Sequence, residues 1–346
     1  MSVEIWPHIA PDQLKIEEDA TQARELTWLL ASLRTTLQSL KRGLEDSYAL
    51  LAPIDPGSTL VLSTPRNETV KGHVTRVGTR LVKGTVHLRL RTLPAQTLSL
   101  DPGRPIAIGP LESLHGLLTS SIELVGLCVS DAPSPAALLA SQLRLLSQHL
   151  GEASALIKGG PGADLWARAS VALAHFAPPL SRNLSFYLTV QDASLVLYLR
   201  ALEPAGAPLN FGAKLALAIG TARRLEHDEA DRVFAYRCDD DGGEARDNRD
   251  AGHRLDVPGA RRSSSQRRPV SAGSGASAVS GGSSSNGHGG VLGQGGEVEV
   301  YVREKVRVES ADPSLLSLSA KLSALSNTLS LARRNLAAVM GEEFED

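Results

Sequence analysis

Leucines recur at intervals of four and three residues in two stretches near opposite ends of the chain. In the first, Leu26, Leu30, Leu33, Leu37, Leu40, Leu44, Tyr48 and Leu51 fall on one face of a helix expected from about Glu17 to Leu51. Pro53 and the Asp55-Pro56-Gly57 turn stop it. In the second, Leu315, Leu318, Leu322, Leu325, Leu329, Ala332, Leu336 and Val339 repeat the pattern. Asp312 is the expected N-cap of that helix, Pro313 occupies its first position, where a missing N–H costs nothing, and Gly341 closes it. Two more one-sided helices lie between. One runs from Leu111 to Cys128, with Leu111, Leu114, Leu118, Ile122 and Val125 on one face. The other follows Asp131-Ala132-Pro133-Ser134-Pro135 and ends near Lys158 at Gly159-Gly160-Pro161-Gly162, with Leu139, Leu143, Leu146, Leu150 and Leu156 or Ile157 inward. A short helix from Ala163 to about Phe176 is expected next.

Alternation of period two marks the strands. Thr59 to Ser63 alternates weakly. Val70-Lys71-Gly72-His73-Val74 and Val82-Lys83-Gly84-Thr85-Val86 form a small repeat astride Gly78-Thr79, which predicts a hairpin with its glycines at a bulge or crossing point. Leu184 to Val190 and Leu195 to Leu202 predict a second hairpin through Gln191-Asp192-Ala193. Arg232 to Cys238 and Val298 to Val308 predict a third pair. Four helices with unshared apolar faces need one another, so the fold expected is α+β. It combines an antiparallel helical bundle from discontinuous segments (17–52, 110–176 and 312–341) with an antiparallel β domain (58–108, 183–238 and 297–310). The stretch 239–296 is expected to be a disordered insertion. It has no aromatic residue, opens with mixed charge and ends in a Gly/Ser tract, and it cannot bury enough apolar surface to offset its ordering entropy.

Composition narrows the function. The 346 residues carry 36 Lys/Arg against 38 Asp/Glu, a formal charge of -2, which argues against a broad electrostatic footprint for nucleic acid or an anionic membrane. No run of eighteen apolar residues exists to span a membrane. The beginning of the chain has the pattern of neither a signal peptide nor a mitochondrial presequence, and two cysteines, Cys128 and Cys238, make no disulfide framework, so a reducing compartment is expected. Aromatic residues, at 4%, are too few for a stacking platform. No phosphate-binding loop is present, since Gly293-Gln294-Gly295-Gly296 follows no strand and opens no helix. The nine histidines, His73, His87, His115 and His149 among them, form no ligand pair with Cys or carboxylate spacing, and Asp239-Asp240-Asp241 lacks the geometry of a cation loop. No catalytic, cofactor or metal residue is therefore assigned. The residues singled out are the seam (Leu26, Leu30, Leu33, Leu37, Leu40, Leu44, Leu315, Leu318, Leu322, Leu325, Leu329 and Leu336) and, beside Arg261-Arg262, the candidate phosphorylation sites Ser263, Ser264 and Ser265.

Taken in order, Glu25-Leu26-Thr27-Trp28-Leu29-Leu30, Val70-Lys71-Gly72, Phe176-Ala177-Pro178-Pro179-Leu180, Leu199-Arg200-Ala201-Leu202-Glu203-Pro204 and the strand and helix from Val298 to Met340 resemble the Rogdi leucine-zipper family. The resemblance is closest to its fungal branch, the small subunit of the RAVE complex, a regulator of the V-ATPase of vacuoles and endosomes. It covers nearly all of the chain outside 239–296. It implies an elongated two-part fold and a non-catalytic adaptor that helps the peripheral sector of the V-ATPase rejoin the membrane sector. The implied partners are the large β-propeller subunit of RAVE, a Skp-type adaptor and peripheral-sector subunits. The implied location is the cytoplasm with peripheral recruitment to vacuolar or endosomal membranes, a nuclear pool being open as well. Two other classes stay open on the residues alone: a homodimeric zipper using the same seams between chains, and a hydrolase assembled from dispersed Ser, His and Asp side chains.

Overall fold

The four leucine seams fold as α-helices. The computed structural model describes residues 10–51, 57–130, 135–159, 170–205, 215, 233–236 and 298–341. By contacts the chain divides into residues 242–294 and the remainder, and every described residue belongs to the remainder. The helices are α1 (Pro11–Leu51), α2 (Gly109–Val129), α3 (Ala136–Lys158) and α4 (Pro313–Met340). Helix α1 begins six residues before the expected Glu17: Pro11 suits a first helical position, and the following turns hold without an apolar partner face. Helix α4 starts as expected, with Asp312 accepting from the Ser314 N–H at 2.9 Å, and Gly341 ends it at φ +69°.

Each helix lies against two others, α1 against α2 and α4, and α3 against the same two. Gln22 reaches the Val339 carbonyl at 2.8 Å and Lys321 meets Asp46 at 2.9 Å, so α1 and α4 run antiparallel. Tyr48 to His115 at 2.9 Å and Arg34 to the Val129 carbonyl at 3.2 Å set α2 antiparallel to α1. Gly43 marks a close approach of α1 and α4, where a Cβ would stand 2.5 Å from Leu325 Cδ2.

Two antiparallel sheets hold the described strands, where the sequence predicts one β domain. The first contains β1 (Ser58–Ser63), β2 (Val70–Val77), β3 (Arg80–Leu88) and β4 (Gln96–Ser99) in that order, with β5 (Ile106–Ala107) also pairing β3. The second is ordered β6-β7-β9-β8, from β6 (Leu184–Gln191), β7 (Ser194–Pro204), β8 (Val233–Tyr236) and β9 (Val298–Ala311). The three expected pairs form. Strands β4 and β5 are too short to carry a periodic signal, and the β7–β9 pairing joins segments about a hundred residues apart. The bulge in the first hairpin lies between Thr75 and Arg76, not at a glycine. Gly72 and Gly84 mark close approaches instead, since a Cβ on either would run into the backbone of the facing strand.

The expected helix from Ala163 to Phe176 falls partly outside the described residues. Its described part is an extended segment with one 3-10 turn, Leu173–His175, because Val171 and Phe176 bond to the neighbouring strands: the Val171 N–H donates to Phe186 at 2.8 Å and Leu100 bridges Phe176. The 239–296 insertion, Cys238 and Ser263 to Ser265 also lie outside the described residues.

Helices and sheets meet through backbone bonds. The β6–β7 turn places Asp192 and Ala193 at φ +46° and +58°, and their N–H groups donate to the carbonyls of Lys158 and Ile157 at 3.1 and 3.0 Å. The hairpin thereby satisfies the last turn of α3. The Ile108 N–H, before α2, donates to Thr79 in the β2–β3 turn at 2.9 Å. Buried side chains from all four helices and both sheets form one contiguous cluster, and Leu202, Tyr236, Val300 and Val302 form a small second one.

Candidate interaction surface

The seam leucines are spent inside the chain. Leu33, Leu37, Leu40, Leu44, Leu315, Leu318, Leu322, Leu329 and Leu336 are buried, and Leu26, Leu30 and Leu325 are half-buried against the same core. A side chain already packed against its own chain's helices is not free to zip with another copy.

Polar chemistry in the interior serves attachment. Arg76 and Asp312, 236 positions apart, are both wholly buried, and Arg76 Nε donates to Asp312 Oδ2 at 2.7 Å. The same guanidinium donates through Nη1 to the carbonyls of Leu51 at 3.1 Å and Gly78 at 2.5 Å. The bulge in the β2–β3 pairing turns Arg76 inward, so one side chain ties the β2–β3 turn to the end of α1 and the start of α4. A second buried carboxylate, Glu304 on β9, accepts from the N–H groups of Arg91 and Thr92 and from the Thr92 hydroxyl at 2.8 to 3.1 Å, fastening the segment after β3 to the second sheet. Arg303 on β9 and Glu203 on β7 pair across the second sheet. These carboxylates are engaged by donors on several elements, the arrangement of structural joints.

Cys128 lies half-buried on α2 with its thiol 3.4 Å from Gln142 Oε1, and desolvation pushes its pKa up, away from thiolate chemistry. Among the described residues no group of three or more His, Cys, Asp or Glu side chains is placed to hold a metal ion, and no helix is long and apolar enough to cross a membrane.

What the described surface offers is the start of α1. The bond from Gln22 to Val339 sets the level at which α4 ends, and Pro11 to Thr21 run on beyond it, about 16 Å of helix at 1.5 Å per residue. Residues 11–25 are all exposed, including Leu14 at 47% and Ile16 at 66%. Trp28 follows at 71% exposure. An apolar body of that size, largely open to solvent, is the kind of anchor that carries binding energy at interfaces. The sequence held a signal for it: Trp28 lies two residues from both Leu26 and Leu30, which puts it on the face opposite the seam. Asp12, Glu17, Glu18, Asp19 and Glu25, against Lys15 and Arg24, make this stretch acidic.

Residues 25–337 match the family described as Rogdi leucine zipper containing protein. No curated protein matches the chain.

Proposed function

Because the chain belongs to the Rogdi leucine zipper family, we propose that it is a non-catalytic adaptor subunit of a RAVE-type complex, promoting assembly of the peripheral and membrane sectors of the V-ATPase. In this reading the helices form an elongated bundle that presents one end to a partner. The partners are the large β-propeller subunit, a Skp-type adaptor and peripheral-sector V-ATPase subunits. The protein works in the cytoplasm, recruited peripherally to vacuolar or endosomal membranes. The observation that supports the reading best is the family match over 313 residues, 25 to 337. The exposed start of α1 supports it further: Leu14, Ile16 and Trp28 offer apolar contact area on a stretch whose carboxylates outnumber its cations, a charge that steers encounter.

The test is affinity purification of the full chain followed by mass spectrometry. The wild type co-purifies with the propeller subunit and peripheral V-ATPase subunits. The Trp28→Ala/Ile16→Glu variant loses them, by about 10-fold or more if Trp28 is an anchor worth over ~1.4 kcal/mol, and keeps its melting temperature because neither side chain touches the core. Wild-type protein that captures no V-ATPase or propeller subunit, in a strain whose acidification is also normal without it, overturns the proposal.

A further inference from the structure

Strands β1 to β4 contain no Asp or Glu, in a chain that has 38. They contain Lys71, Arg76, Arg80 and Lys83, with His73 and His87. Arg76 faces inward to Asp312, and Arg80 reaches Glu112 at 3.8 Å. The others stand on the outer face, opposite the buried row of Leu60, Leu62, Val70, Val74, Val86, Leu88 and Leu98. Register places Lys71 beside His87 and Ser63, His73 between Val61 and Thr85, and Lys83 beside Thr75. Arg89 extends the same row past the end of β3. Lys71, Lys83 and Arg89 are exposed and have no side-chain partner among the described residues. Across residues 57–100, seven Lys/Arg oppose one Glu, in a molecule whose formal charge is -2. Stability alone would place a carboxylate across from such a cation, since cross-strand opposite charges attract and like charges repel.

We propose that this outer face is a docking surface for an anionic phospholipid bilayer. Three observations choose that occupant. The cations lie on the central strands β2 and β3, flanked by β1 and β4, so a peptide adding to a sheet edge would not reach them. Lys83 and the His87 that neighbours Lys71 are four residues apart on one strand, about 13 Å, so the charge is spread along the face, as it is on a membrane surface. Val61, 65% exposed on the same face, gives an apolar contact at the headgroup boundary. Three unpaired cations favour an anionic over a neutral bilayer by about 100-fold. The inference uses only the charge and register of this sheet and stands apart from the adaptor reading.

Flotation of the full chain with vesicles of phosphatidylcholine alone or mixed with phosphatidylserine tests it. The expected result is flotation that requires phosphatidylserine and fades as salt rises. Lys71→Glu/Lys83→Glu weakens partitioning by at least about 10-fold with an unchanged melting temperature, whereas Lys15→Glu/Arg24→Glu on α1 leaves it as in the wild type. Three results overturn the proposal: no flotation of the wild type on phosphatidylserine vesicles, equal flotation of the Lys71/Lys83 variant, or capture through Lys71 and Lys83 by immobilised polyglutamate but not by vesicles, which would assign the face to an acidic protein.

Discussion

Arg76 and Asp312 form a wholly buried ion pair, and removing either side chain has a large consequence. Two opposite charges with no exposed surface have lost their hydration, and each is tolerable only while the other and its hydrogen bonds remain. Asp312 has a second task, holding the first turn of α4 through the Ser314 N–H. A serine at 312 keeps a capping oxygen and removes the charge, so it isolates the pair from the cap. Asp312→Ser is therefore expected to cost about 3 to 5 kcal/mol in urea denaturation, because it strands a buried guanidinium. Adding Arg76→Met to that variant should recover a substantial part, since the orphaned charge goes with it. A loss below ~1 kcal/mol for Asp312→Ser would show that water reaches the site and that the joint is not dry.

At the scale of elements, α1 and α4 show how a contact sets residue size. Gly43 faces Leu325, whose side chain is half-buried and packs against the core. Gly43→Ala gains helix propensity of about 1 kcal/mol but moves the tip of a flexible leucine, so its net effect on stability is expected to stay small. Gly43→Leu cannot be absorbed by a rotamer change. It forces the helices apart and should destabilise by about 1 to 3 kcal/mol, the usual range for overpacking. Comparing the two melting curves separates close approach from simple helix preference. The hairpin turn at Asp192-Ala193 is another contact between elements. Its N–H groups close α3, so sheet and helix share backbone bonds as well as apolar surface.

For the whole molecule, strand β8 ends where β9 begins: Tyr236 pairs with Val298 across the ladder. The chain between them thus leaves and returns at adjacent positions, and closure entropy grows by only ~0.6 kcal/mol per doubling of loop length. Replacing residues 239–296 with a short Gly/Ser link is expected to leave the melting temperature unchanged or slightly higher, measured by calorimetry on the full chain beside the shortened one. A large drop would mean that the replaced segment contributes to the core. At this same scale the reach of the sequence becomes clear. The four helices, the three strand pairs, the Asp312 cap and the Gly341 stop were all legible, because each rests on periodicity or on a capping preference within a few neighbouring residues. The face of Trp28 was legible too, by its offset from the seam, though only the structure left it bare. Net charge conceals how charge is distributed, since -2 is an average over an acidic helix start and a sheet without a carboxylate. The turn of Arg76 inward, its pairing with a residue 236 positions away, the division of strands into two sheets and the gathering of Lys71, Lys83 and Arg89 on one face were decided by tertiary structure alone. Those features depend on register and on which distant segments become neighbours, and neither leaves a local pattern in the chain.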